Sequence, residues 1–166
     1  MRVIGIDPGL ALAGYGIIDG DRQHMKVVHY GFFETKSDIP LPERLKRLYE
    51  ATEKVLLEFQ PQEIAVEELF FNRNVTTAFT VGQARGVFLL AAQQHGLVYS
   101  QYTPAQVKMA VTGYGRADKA QIQQMVKVLL NLPAVPKPDD TADALAIAIC
   151  HLQNSSWQKA VMARST

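Results

Sequence analysis

Acidic side chains stand at three places in this chain where their surroundings are apolar. Asp7 ends the run Val3-Ile4-Gly5-Ile6 and precedes Pro8-Gly9. Glu67 ends Ile64-Ala65-Val66 and is followed by Glu68. Asp140 and Asp143 lie three apart, and Asp143 opens the apolar stretch Ala144-Leu145-Ala146-Ile147. Ligands of open α/β sheets gather beyond the carboxyl ends of strands, so Asp7 and Glu67 are candidates for one shared site. Successive strand side chains point oppositely, so only one of Glu67 and Glu68 faces the side of Asp7, and Glu67 leaves the strand directly. On a helix, residues three apart share a face, and the helix start favours anions. Close carboxylates repel by about 4 kcal/mol per pair at ~4 Å and an effective dielectric near 20. Divalent cations remove that cost, and magnesium takes oxygen ligands while keeping phosphate oxygens in its shell. Two such ions can clamp an in-line phosphoryl displacement.

Each residue also has a plainer reading. Asp7 can cap its own turn. Asp139 and Asp140 are ordinary helix caps. Asp143 is harder to dismiss, because a charge where the helix turns apolar needs a partner or a metal. Lys108 and Lys119 flank Gly113-Tyr114-Gly115 and suit either phosphate or plain solvent. Soft-metal spacings such as CxxC or HExxH are absent, and His24, His29, His95 and His151 read as surface or satisfied core residues.

Elements able to position these carboxylates are visible along the chain. Residues 2–7, 12–18 and 25–34 read as an antiparallel meander of three strands. Pro40 and Pro42 open a helix that Pro61 stops. A buried strand over 64–66 leads to Glu67, and a polar, aromatic loop spans 69–74. A helix is predicted over 75–95, a fifth strand over 97–102, and a capped helix from Thr103-Pro104. An amphipathic helix over 117–130, a proline linker, and an apolar helix over 140–152 complete the order. The fold class is α/β, a five-stranded mixed sheet with helices on both faces. Residues 1–153 form one domain, and 154–166 are expected to be a flexible tail.

Composition agrees with a soluble globular protein: 166 residues, 48% hydrophobic and 20% charged. The single Cys150, amid apolar neighbours, cannot form an internal disulfide and points to a reducing cytoplasm. A signal peptide and a membrane-length apolar run are both lacking, so no membrane association is expected. Net charge is only +1, yet residues 69–137 carry seven basic side chains against the lone acid Asp118. Those seven are Arg73, Arg85, Lys108, Arg116, Lys119, Lys127 and Lys137. Local positive surface of that kind suits phosphate contact, or else simply solvated helix faces.

Together these residues resemble the RuvC family of Holliday-junction resolvases, which has the ribonuclease H-like fold. The likeness is carried by Gly5-Ile6-Asp7-Pro8-Gly9 with Gly14-Tyr15-Gly16, and by Ala65-Val66-Glu67-Glu68-Leu69-Phe70. Val81-Gly82-Gln83-Ala84-Arg85-Gly86-Val87, Gln106-Val107-Lys108 with Lys119, and Thr141-Ala142-Asp143-Ala144-Leu145-Ala146-Ile147-Ala148 continue it in family order. The resemblance implies that Asp7, Glu67, Asp140 and Asp143 are catalytic metal ligands. They would hold Mg2+, two ions per site, with Mn2+ able to substitute. Asp139 stays open as the fourth ligand, since its four-residue offset from Asp143 also suits a helix. Phe70 matches the family's junction wedge, and Phe71, Arg73, Arg85, Lys108, Arg116 and Lys119 are the expected DNA contacts.

The resemblance further implies a homodimer that nicks four-way junction DNA symmetrically on strands of like polarity. The ends would be 5′-phosphate and 3′-hydroxyl, in recombination and repair, with RuvA and RuvB as partners. The helix bearing Gly82 and Gly86 is the candidate interface, or else packs tightly on its own sheet. Another ribonuclease H-like nuclease, acting on other branched or hybrid substrates, is the nearest alternative. A phosphotransferase of the actin–sugar kinase class would need a second lobe, and a catalytically dead junction-binding module would not need the carboxylates.

Overall fold

The computed structural model describes residues 1–69 and 75–162. Strand β1 (Arg2–Asp7) pairs antiparallel with β2 (Leu12–Gly20), and β2 with β3 (Met25–Glu34). Helix α1 (Leu41–Phe59) leads to β4 (Glu63–Glu67), which runs parallel to β1. Helix α2 (Val75–Gln94) then leads to β5 (Val98–Tyr102), parallel to β4. Helices α3 (Pro104–Thr112), α4 (Lys119–Leu129) and α5 (Asp139–Met162) follow. The mixed five-stranded sheet has the order β3-β2-β1-β4-β5, as the α/β reading requires.

Local chemistry explains the element ends. Pro40 precedes α1, Pro42 sits in its first turn, and Gln60 closes it in a left-handed conformation at φ 48°. Thr103 and Gln106 form a reciprocal capping box at α3, and Asp118 and Gln121 form another at α4. Asp118, the lone acid of the basic stretch, is therefore engaged as a cap.

Alternation along the strands separates two cores. Ile4, Ile6, Ile17, Ile64 and Val66 pack with Leu48, Leu56, Ala84 and Phe88 from α1 and α2. Val3, Ile18 and Ala65 pack with α3, α4 and α5 on the opposite face. Asp7 and Glu67 have the parity of Val3 and Ala65, so they share the face that α5 covers.

Helix α5 lies on a floor of glycines. A Cβ on Gly14 would fall 1.9 Å from the Asp140 carbonyl oxygen, and one on Gly5 would fall 2.2 Å from that of Ala144. Glycine is what lets the helix backbone approach so closely. The helix also outruns the sequence expectation. It continues to Met162, where a tail was expected from 154. Within it, Asn154 Nδ2 donates to the Cys150 carbonyl one turn back at 2.8 Å, and Ser155 is buried.

Gly14→Ala should therefore cost about 1–3 kcal/mol of stability, a fall in Tm of roughly 3–10 °C. Gly115→Ala, whose added carbon would meet its nearest neighbours at an ordinary 3.7 Å, should leave Tm nearly unchanged. Equal Tm values for these two variants in calorimetry would refute the close-packing account.

Candidate active site

Register brings the sequence candidates together. Asp7 pairs with Gly14, and β4 runs alongside β1 to place Glu67 at the neighbouring strand end. Asp143 descends from α5 above them. Asp7, Glu67 and Asp143 line one cavity of about 240 Å³ with Lys108, Lys119, Pro104, Val107 and Ile122. Asp140 lies outside that lining, yet its charge still reaches Asp7. Glu68 instead uses its backbone N–H to bond the Tyr102 carbonyl at 2.9 Å.

The electrostatics are those of a crowded acidic pocket. Burial, followed by the charges of Glu67, Asp143 and Asp140, pushes the Asp7 carboxyl up to about 8. Burial and then Asp143 raise Glu67, which Lys108 partly offsets. Burial also raises Asp143, against the pull of Lys119 at 3.2 Å. Asp139 behaves differently. Its carboxyl bonds Lys137 at 2.7 Å and faces Lys119 at 3.4 Å, and it lies below the ordinary range because Lys137 donates to it. Its backbone neighbour Asp140 sits over Gly14, the register partner of Asp7. Geometry thus separates two residues that helical spacing alone leaves equivalent.

These groups fit a hard divalent cation in donor type: half-buried carboxylate oxygens whose mutual repulsion a cation would relieve. Among the described residues, no three acidic, imidazole or thiol groups are drawn into a ready-made ligand cluster. The carboxylates line a cavity rather than converge on a point.

The remaining candidates are dispersed. Arg116 is exposed beside the cavity's helix α4. Arg85 is directed to the sheet edge, where its guanidinium bonds the Tyr99 hydroxyl and Gln101 Oε1. Phe70, Phe71 and Arg73 fall outside the described residues. Cys150 is buried and its thiol is pushed up to about 12 by that burial, which suits an inert core residue. Among the described residues, no helix is long and apolar enough to cross a membrane. Sequence reasoning missed the Lys119 bridge between Asp139 and Asp143, because residues twenty or more apart give no local signal. It also left His151 open as a surface or satisfied core residue, where the structure buries it against Tyr102 and Glu63.

A mixed sheet in this order, with acids at adjacent strand ends, is of the ribonuclease H-like class. The chain belongs to the RuvC family: residues 3–151 match the family described as crossover junction endodeoxyribonuclease RuvC. That family consists of metal-dependent nucleases. Proteins of that name from Desulfitobacterium hafniense and Brevibacillus brevis are similar to it. The first is 61% identical over 151 residues, covering 91% of this chain and 92% of the relative. The second is 56% identical over 153 residues, covering 92% of each. Thermus thermophilus RuvC in complex with Holliday junction substrate superposes with a TM-score of 0.91 at 37% identity, covering 95% of this chain and 96% of that one. The yeast mitochondrial resolvase Ydc2 shares the fold at a TM-score of 0.69 and 15% identity, over 95% and 82% of the two chains.

Asp7→Asn should raise the Tm of the metal-free protein by several degrees. A carboxyl raised to about 8 from 3.8 destabilises the fold increasingly as pH climbs between those values. The gain should therefore be larger at pH 8 than at pH 5. A Tm for the variant that is lower than wild type at pH 8, without divalent cations, would contradict the repulsion described.

Proposed function

We propose that this chain resolves Holliday junctions with a magnesium-dependent site built from Asp7, Glu67, Asp143 and Asp140. The supporting observation is the single cavity where Asp7, Glu67 and Asp143 meet on the face shared by β1, β4 and α5. Bound divalent ions, two of them per site, supply charge neutralisation at the scissile phosphodiester and activation of the attacking water. Asp7, whose carboxyl is raised by burial and then by the charges of Glu67, Asp143 and Asp140, would be the central ligand. Glu67 and Asp143 flank it, and Asp140 adds charge from over Gly14. Lys119 holds Asp143 in place at 3.2 Å. It and Lys108 place positive charge at the cavity wall, where a phosphate oxygen would approach. Pro104, Val107 and Ile122 make the rest of the wall apolar and limit water. Hydrolysis leaves 5′-phosphate and 3′-hydroxyl ends, fit for sealing, in recombination and repair. Arg116, Arg85 and the 70–74 loop, with Phe70, Phe71 and Arg73, are assigned to DNA contact by likeness to the family.

Two symmetric nicks require two sites, which a two-fold dimer supplies. The outward stripe of α2 supports this assembly. Phe79 is 69% exposed and Leu90 54%, and between them Gly86 meets nothing and Gly82 only Leu69. The glycines thus face away from their own sheet, and an apolar stripe of this size on a helix suits a second copy. RuvA and RuvB are the expected partners upstream, and the cytoplasm the expected compartment.

A synthetic four-way junction should be nicked with magnesium and left intact with chelator. Asp7→Asn should abolish nicking, by a thousandfold or so in order of magnitude, while junction binding persists. Preference for a hybrid duplex over the junction in a competition assay would overturn the substrate assignment. Phe79→Glu should shift the protein from dimer to monomer in light scattering and uncouple the paired nicks. A dimer that survives Phe79→Glu combined with Gly86→Arg would remove α2 as the interface.

A further inference from the structure

Helix α5 carries Asp143 over the cavity, and eight residues further along it carries a polar group that the proposed chemistry leaves unused. His151 is 1% exposed. Its Nδ1 lies 2.9 Å from the Tyr102 hydroxyl and its Nε2 lies 2.6 Å from Glu63 Oε2. The Tyr102 and His151 rings also meet edge to face, with centroids 5.8 Å apart. Burial pushes the Tyr102 phenol up to about 12. Both ring nitrogens of His151 are therefore engaged, one by a phenol and the other by a carboxylate.

The two partners sit on adjacent strands at opposite ends. Glu63 begins β4 and Tyr102 ends β5. Tyr102 is also the register partner of Glu67, and its carbonyl accepts from the Glu68 N–H. One side chain on α5 thus grips the two strands that locate Glu67. Nothing else under the helix does so as directionally. The floor beneath α5 is glycine at Gly5, Gly14 and Gly16, Thr141 bonds the Gly31 carbonyl of β3 at the helix start, and much of the remaining contact with the sheet is aliphatic. Apolar contact is non-directional and resists sliding weakly, whereas a buried hydrogen bond is costly to leave unmade.

We propose that His151 is a positioning residue: its bonds to Glu63 and Tyr102 set the height of α5 along β4 and β5, and with it the placement of Asp143 relative to Glu67 that divalent-cation binding requires. The proposal rests on the metal-dependent reading above, and it concerns a buried site about 12 Å along the helix from Asp143 at the usual rise per residue.

The test compares Tyr102→Phe and His151→Gln with Ile149→Ala, a core truncation on the same helix. Mn2+ affinity is read by paramagnetic resonance of the free ion, without DNA. Nicking of a four-way junction is read against magnesium concentration, at a temperature where every variant is folded. Tyr102→Phe keeps the ring and loses only the hydroxyl, so it serves even if His151→Gln fails to fold. Both clamp variants should weaken Mn2+ binding and raise the half-saturating magnesium by about tenfold, the usual reach of a group that orients a ligand indirectly. Ile149→Ala should lower Tm with less than a twofold change in either. An unchanged metal midpoint in Tyr102→Phe, or an equal shift in Ile149→Ala, would overturn the positioning role. A wild-type chain that neither binds Mn2+ nor nicks would overturn the function reading itself, and the positioning role with it.

Discussion

Repulsion among buried carboxylates is the constraint around which this fold is arranged. Asp7, Glu67 and Asp143 would each lower the local energy by moving into solvent, and burial, with its neighbours' charges next, pushes the Asp7 carboxyl up to about 8. The backbone forbids the escape. Asp7 is the last residue of a strand paired on both sides, Glu67 ends the strand beside it, and Asp143 is fixed to a helix seated on glycine. Lys119 offsets part of the charge from above and Lys108 from the side. What remains is a negative cavity with one chemically natural guest, a small hard cation.

Much of that arrangement is legible in the sequence because it is local. Strand parity alone puts Glu67, rather than Glu68, on the side of Asp7, and the structure agrees. The caps at Thr103 and Asp118 are written in spacings of three residues. The choice between Asp139 and Asp140 is not legible, since both offsets from Asp143 suit a helix. What differs between them in the structure is contact: Lys137, two residues away, and Lys119 engage Asp139, while Gly14 admits the backbone of Asp140. The continuation of α5 to Met162 is not legible either: residues 153–155 look like a tail in composition, yet the helix runs on through them.

The role of Gly82 and Gly86 shows the same limit from another side. Their four-residue spacing permits close approach, but to a neighbour that spacing cannot name. The structure turns them outward, with Ala84 and Phe88 inward on the same helix. The helix therefore has one face that closes the core shared with α1 and another that it leaves exposed.

The two faces of the sheet divide the labour in a way that explains why the acidic cavity is tolerated. One face is apolar from Ile4 to Val66 and is sealed by α1 and α2 without a buried charge among its core residues. The other face has an apolar cluster of its own and adds glycine, carboxylate and the Glu63–His151–Tyr102 chain. Apolar packing on both sides of the sheet lets the second face also hold groups that oppose folding. Because β1 and β4 contribute alternate residues to both faces, the rigid apolar side also fixes the positions of Asp7 and Glu67. A cavity whose walls would otherwise spread apart is held to its shape from behind, by a core that never touches the substrate.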